Sequence, residues 1–544
     1  MLRQGFIHGA LVLALASITS RILGVFYVAL LPRLLTGEGY GLYTAVKPLY
    51  HAVMIVAVAG FPVAIAKMVA ERLAVGDVRE VRRIYVVSLL FTFCSGLAAS
   101  LLLVAGSGLF ASVVLKMPEA SITLLAVAPS VFLCTLASAL RGYFQGLQQM
   151  TPSAVSQIAE QLARVAGTIG FALFLIPLGS VYGAAGALAG SITGGLAALV
   201  VLVFYYIKRR RAIRAELEQR NRAHRHPQRR DTLRRLVELS FPVVLGQILW
   251  PVFELIDSAF IPHCLQIAGY SQGESLAWLG YFGMAGQLMW FPTVITLAFS
   301  TSLVPAISAA WAQRSKRLIK KRLGEALRVV MMFSLPASVG LFALANQCAW
   351  LLFGYMEAGV PLRILAFGTL VIGLQQITSG TLQGMGQMLL PVRNLLCGVV
   401  IKLACNYWLV PMPYFGIRGA AWGTLVGFSV AACLNVHHIN QRTSLSVGQL
   451  GQLKATLLCT SIMYAIVHAA YALMCLLLQS AVSVHLISPF LVNAVATITA
   501  VAVGALTYAA MTLRFGGWQR HDIEALPWVG RKLALKLTHL GWLV

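Results

Sequence analysis

Fourteen runs of mostly apolar residues punctuate this chain, each long enough to cross a lipid bilayer as a helix. They fall at approximately 6–32, 41–66, 84–107, 121–141, 153–176, 180–207, 237–262, 275–310, 327–354, 360–384, 392–411, 416–437, 455–480 and 487–513. A barrel strand would need only about 10 residues of alternating character. In lipid every backbone N–H and C=O must be satisfied within the protein, so runs of this length dictate an all-α polytopic membrane protein. Composition agrees: 11% of residues are charged, against roughly 25% in soluble domains.

The chain is also duplicated. RGYFQGLQQMTP at Arg141–Pro152 is echoed by SGTLQGMGQMLLP at Ser379–Pro391, which aligns Gln145 with Gln383. Pro62-Val63-Ala64-Ile65 and Pro305-Ala306-Ile307 form a second pair, and Gly183-Ala184-Ala185 and Gly419-Ala420-Ala421 a third. The three pairs keep the same order and nearly the same separation. The expected organisation is an N-terminal six-helix repeat over 1–207, a basic loop over 208–236, a C-terminal six-helix repeat over 237–437, two extra helices over 438–513 and an amphipathic tail over 514–544. Transporters built from such halves place their substrate site at the repeat interface near the bilayer midplane.

Basic residues alternate between connections. Arg72, Arg79, Arg82 and Arg83 follow the second run, the next connection carries only Lys116, and Arg314, Lys316, Arg317, Lys320, Lys321 and Arg322 follow the eighth. The positive-inside rule then puts both termini in the cytoplasm. The densest block, Lys208 to Arg235, holds 12 Arg and Lys against Glu216, Glu218 and Asp231. It reads as a cytoplasmic loop lying on anionic headgroups, with no role for nucleic acid in the +25 net charge. Arg21 directly follows a signal-like start, and the apolar pattern continues to Leu31, so an uncleaved first helix is expected. The tail Asp522–Val544 mixes Arg531, Lys532 and Lys536 with Leu533, Leu537, Leu540 and Trp542, as an interfacial helix does. The nine cysteines and 11 histidines show no metal-ligand spacing. With no GxxxxGK[ST], HExxH or GxSxG sequence, neither an enzyme nor an ATP-driven pump is expected, and no cofactor. Energy would come from a proton or sodium gradient, the membrane potential, or substrate supply.

Charged residues inside the runs are the functional candidates, because each costs about 2.5–3.5 kcal/mol at the bilayer centre unless paired or hydrated. Gln157, Glu160, Gln161 and Arg164 share one helical face at i, i+3, i+4 and i+7. Arg164 follows Gln145 at the same distance as Lys402 follows Gln383, so the repeats carry a cation at one equivalent position. Such a pair suits an anion; alternatively Glu160 neutralises Arg164, which leaves Lys402 unexplained. Arg21 either contacts substrate or snorkels, and Lys47 either faces a cavity or reaches the outer interface. Glu254 and Asp257, at i, i+3, either couple transport to a proton or cation or neutralise a neighbouring basic residue. Pro62 and Pro305 are candidate hinges.

The segments RQGFIHGALVLALASITSRILG, Gly60–Glu71 and Arg141–Val165, with DIEALPWVGRKL in the tail, resemble the SpoVB branch of the multidrug/oligosaccharidyl-lipid/polysaccharide exporter superfamily. That resemblance, which covers essentially the whole chain, implies a MATE-like fold in a bacterial cytoplasmic membrane. It further implies flipping of a lipid-linked, pyrophosphate-bearing precursor for peptidoglycan or spore cortex. The implied partners are membrane lipids, the lipid-linked saccharide and cell-wall synthesis enzymes. Ser20-Arg21-Ile22-Leu23-Gly24 is similar to the segment that gives the related MurJ flippases a cavity arginine, but an Arg-Asp pair that follows there is absent from Gly24-Val25-Phe26-Tyr27-Val28. By this resemblance Arg21 would bind substrate; the polar and charged residues inside the runs add Lys47, Gln157, Gln161, Arg164 and Lys402 as substrate-binding candidates, and Glu160, Glu254 and Asp257 as ion-coupling candidates. Two alternatives remain: a cation-coupled multidrug exporter of the same superfamily, and a non-transporting scaffold for wall synthesis.

Overall fold

The computed structural model describes residues 6–58, 60–219, 229–443, 451–483 and 488–515. The expected amphipathic tail, apart from its first two residues, and the centre of the basic loop lie outside the described residues, as does the side chain of Arg21. The described chain is helical, with no strand. Its helices are α1 (Phe6–Leu34), α2 (Gly37–Val58), α3 (Phe61–Ala74), α4 (Val78–Leu109), α5 (Ala120–Gly146), α6 (Met150–Leu175), α7 (Ser180–Gln219), α8 (Arg229–Ile267) and α9 (Gln272–Trp290). They continue as α10 (Thr293–Ala312), α11 (Lys316–Ala343), α12 (Ala345–Phe353), α13 (Gly359–Leu365), α14 (Gly368–Gly384), α15 (Leu389–Leu409), α16 (Ile417–Thr443), α17 (Gly451–Ser483) and α18 (Pro489–Arg514). Thirteen stretches of described residues are long and apolar enough to cross a membrane. With α1, they match the expected fourteen.

Four of the expected helices are divided. The run at 41–66 becomes α2 and α3, which separate where Gly60 takes a φ of +85°. A β-carbon there would lie 2.6 Å from the Ser240 carbonyl oxygen of α8, so the position requires glycine twice over. Pro62 sits in the first turn of α3, where its missing N–H is harmless, and does not bend a continuous helix. The run at 275–310 becomes α9 and α10, parting at Phe291-Pro292, whereas Pro305 lies within unbroken α10. The run at 327–354 divides into α11 and α12, and that at 360–384 into α13 and α14.

Two compact units divide the chain at Gly280 and Tyr281. The first takes in α8, which the repeat reading assigns to the second half, because α8 packs along α2, α3 and α4. Ser258 donates to the Thr44 carbonyl at 3.4 Å, and Thr232 donates to Glu80 at 3.0 Å. The first unit's core gathers Phe61, Ile65, Val69, Ile84, Leu140 and Phe144. In the second, Leu303, Ile307, Leu323, Val330 and Leu382 form one cluster, and Leu344, Met463, Val467 and Ala500 another.

The duplication is written into the turns of the backbone. Positive φ values occur in pairs that repeat the separation of Gln145 from Gln383: Gly76 and Arg314, Lys116 and Gly354, Gln148 and Gly386. In each pair one member is glycine and the other tolerates a left-handed conformation that L-residues disfavour. Helix contacts follow the same register. A β-carbon at Gly146 would meet Val69 Cβ at 2.6 Å and Ala66 O at 2.9 Å; at Gly384, it would meet Ile307 Cβ at 2.7 Å and Val304 O at 2.8 Å. Val69 and Ile307, like Ala66 and Val304, stand at that same separation. This register corrects the expected match of Pro62 with Pro305: the position equivalent to Pro62 is Ser300.

Candidate functional site

The turn Leu147–Gln149 folds α5 back on α6, so residues at similar distances from it lie opposite one another. Arg141 on α5 thereby faces Ser156 on α6, to which its Nε donates at 2.9 Å. One turn further along α6, Arg141 Nη2 donates to Glu160 Oε2 at 2.7 Å. Arg164, a turn beyond, donates through Nη2 to the other oxygen, Oε1. A single carboxylate thus bridges two guanidiniums, one oxygen to each. The three side chains are 15–27% exposed, so the cluster is sheltered but reachable. Arg164 Nε has no hydrogen-bond partner among the described residues.

Helices α1 and α2 supply the surroundings. Tyr27 and Tyr43 share a hydrogen bond between their hydroxyls, and Ser130 of α5 donates to the Tyr50 hydroxyl at 3.2 Å. Tyr27, Tyr50 and Cys134 lie near Arg164, and His51 lies near both Lys47 and Arg164. Lys47 lies ten residues into α2, roughly 15 Å along its axis. That depth places it far inside the end from which the sequence reading let it reach the interface. Ser17 of α1 donates to Gln157 at 3.4 Å, and Gln161 Nε2 would lie 3.3 Å from a β-carbon at Gly24. Gln157 and Gln161 of the α6 stripe therefore face α1, Gln161 beside Gly24, while Glu160 faces Arg141 of α5.

In the second unit Lys402 occupies the place of Arg164. Gly194 on α7 lies against Arg164, where an added β-carbon would come 3.0 Å from Arg164 Cβ and 2.9 Å from Glu160 O. Gly427 on α16 lies the same way against Lys402 Cβ at 3.2 Å and Gly398 O at 2.8 Å. These glycines close two runs of four-residue spacing, Gly186-Gly190-Gly194 and Gly419-Gly423-Gly427, which let the helices pack closely. The partner of Gly419 is thus Gly186, three residues from the Gly183 matched by sequence. Lys402 is buried, 1% exposed.

The surroundings of the two cations differ. The positions equivalent to Arg141, Ser156 and Glu160 are Ser379, Asn394 and Gly398. Asn394 donates to Asn435 Oδ1 at 2.8 Å, and Asn435 donates to Thr378 at 3.1 Å and Ser379 at 3.0 Å. Gln375 adds a bond to Ser379 at 3.1 Å. Elsewhere in the first unit, Glu254 on α8 accepts from Trp250 Nε1 at 3.1 Å and Asp257 is buried. Arg141 and the Asn394–Asn435 network had escaped the sequence reading. The signal for Arg141 was its position opposite Ser156 across the hairpin turn.

This duplicated all-helical membrane fold is shared with solved transporters of the multidrug/oligosaccharidyl-lipid/polysaccharide exporter superfamily. The family model described as polysaccharide biosynthesis protein matches residues 6–311, more than half of the chain, and the protein belongs to that family. The MatE model matches residues 242–408. Stage V sporulation protein B of Bacillus subtilis is 28% identical over 98% of this chain and 99% of its own length. The lipid II flippase MurJ of the same organism is 24% identical over 78% of this chain and 80% of its own. A solved structure of lipid II flippase MurJ in an inward closed conformation has a TM-score of 0.61 at 15% identity, covering 92% of this chain and 98% of that one.

Proposed function

We propose that the protein flips a lipid-linked, pyrophosphate-bearing saccharide of the lipid II kind across the cytoplasmic membrane by alternating access, serving peptidoglycan or spore cortex synthesis. The observation that carries this reading is the charge balance of the first-unit site. Arg141 and Arg164 stand there against the one carboxylate that they share, Glu160, with Lys47 on the neighbouring α2. A net positive, partly accessible site within the span suits a phosphate anion, which guanidiniums grip by charge-assisted hydrogen bonds. The kinship with a lipid II flippase supports the same substrate class.

Lys402 is assigned the corresponding grip in the second repeat, and Arg21 joins the substrate site through the resemblance of its segment. Coupling to a proton, sodium or the potential is assigned to Glu254 and Asp257. The testing experiment is reconstitution in vesicles with a polyprenyl-pyrophosphate saccharide, its head group's leaflet read by an impermeant enzyme. Protein-dependent movement of this lipid, with none of a cationic drug, is the expected result; the reverse pattern would replace this reading with that of a drug exporter.

A further inference from the structure

Glu160 is unnecessary for seating a cation at its repeat position, because the second repeat places Lys402 over Gly427 with glycine at the equivalent residue, Gly398. Its geometry suggests another purpose. The carboxylate holds Arg141 and Arg164 through one oxygen each, as two oxygens of a single phosphate would. Both guanidiniums are left under-used: each has five N–H donors, of which Arg141 spends one on Glu160 and one on Ser156, and Arg164 one on Glu160. A pyrophosphate brings more oxygens than a carboxylate and can occupy donors that Glu160 leaves idle. All three side chains are partly exposed, so such an exchange needs no unpacking of the core.

We propose that Glu160 is a resident competitor for the substrate's pyrophosphate, holding the two arginines in the empty carrier and displacing the product when it rebinds them. This rests on the anion-site reading above and assigns that site its means of release. A bound pyrophosphate removes both partners from the carboxylate, and an unpaired carboxylate in a sheltered site is strongly disfavoured. The loaded site is therefore less stable than the arginines alone would make it, and the carrier binds more weakly but releases faster.

Farnesyl pyrophosphate is the probe, titrated calorimetrically into purified full-length protein. Turnover of the lipid-linked saccharide in vesicles is measured alongside. Glu160→Gln is expected to bind the probe roughly tenfold tighter while turning over more slowly, and Arg164→Ala to bind it at least tenfold more weakly than wild type. A carboxylate with a merely structural role would not give tighter binding with slower turnover. Should Glu160→Gln fail to insert, Glu160→Asp retains the charge but draws it back by one methylene, and about threefold tighter binding is expected. Loss of binding in Arg164→Ala without tighter binding in either Glu160 variant overturns the competitor and leaves the anion site standing. Equal binding, or none, in wild type and Arg164→Ala removes the anion site and the competitor with it.

Discussion

Between α5 and α6, Arg141, Glu160 and Arg164 are charged and 15–27% exposed; between α14 and α15, Asn394 is neutral and 1% exposed, and bonds to Asn435 on α16, which is 0% exposed. The turns and glycine contacts that frame these regions are matched residue for residue, so backbone packing does not cause the difference. A neutral amide network can be closed off from water because its members satisfy one another. Charges at the same place need mutual pairing and access to water or a ligand, since burying an ion pair completely costs several kcal/mol per ion. Duplication has kept the scaffold at both of these places, one now a dry clasp of amides and the other an open, charged cluster.

If the glycine contacts are equivalent, Gly194→Val and Gly427→Val should each lose about 3 kcal/mol, since the added atoms meet backbone across the α6–α7 and α15–α16 contacts. Thermal unfolding in detergent measures both. Tolerance in one half alone would end the equivalence. Asn435→Leu comes next: it takes the Oδ1 acceptor from Asn394 and one donor from Thr378 and Ser379, and should cost about 2 kcal/mol. Its transport rate per folded molecule should stay at the wild-type value, because a clasp contributes stability only; a rate that fell further than stability would give the second network a functional part. The smallest effect is at the turns. Gln148 holds a φ of 60° where its counterpart Gly386 is glycine. Gln148→Gly should stabilise by up to about 1 kcal/mol, and Gly386→Ala should destabilise by a similar amount.

The spans were legible because length and apolarity alone define a transmembrane helix. The repeat was legible from the Gln145 and Gln383 segments, whose offset the structure retains. The proline and Gly-Ala-Ala matches misplaced their partners, since short strings of Pro, Ala and Gly recur freely in membrane helices. The spacing of Gly186, Gly190 and Gly194 against Gly419, Gly423 and Gly427 is the better signal, because close helix packing constrains it physically. Arg141 escaped because it is the last residue of its apolar run, where an arginine ordinarily needs no partner. Its reach to Glu160 depends on the hairpin fold. The break at Gly60 was hidden because it depends on α8 crossing there, through a contact at Ser240 that is remote in sequence.

If the charged cluster of the first repeat carries the substrate's phosphate, the loss of Arg164 must show in transport. The measurement is the rate at which reconstituted protein moves a polyprenyl-pyrophosphate saccharide between leaflets, compared among wild type, Arg164→Ala and Arg164→Lys at equal amounts of inserted protein. A loss of roughly 100-fold is expected in Arg164→Ala, with Arg164→Lys falling between that and wild type if charge alone is needed and close to alanine if a two-pronged grip is. Transport by Arg164→Ala at the wild-type rate would contradict the assignment.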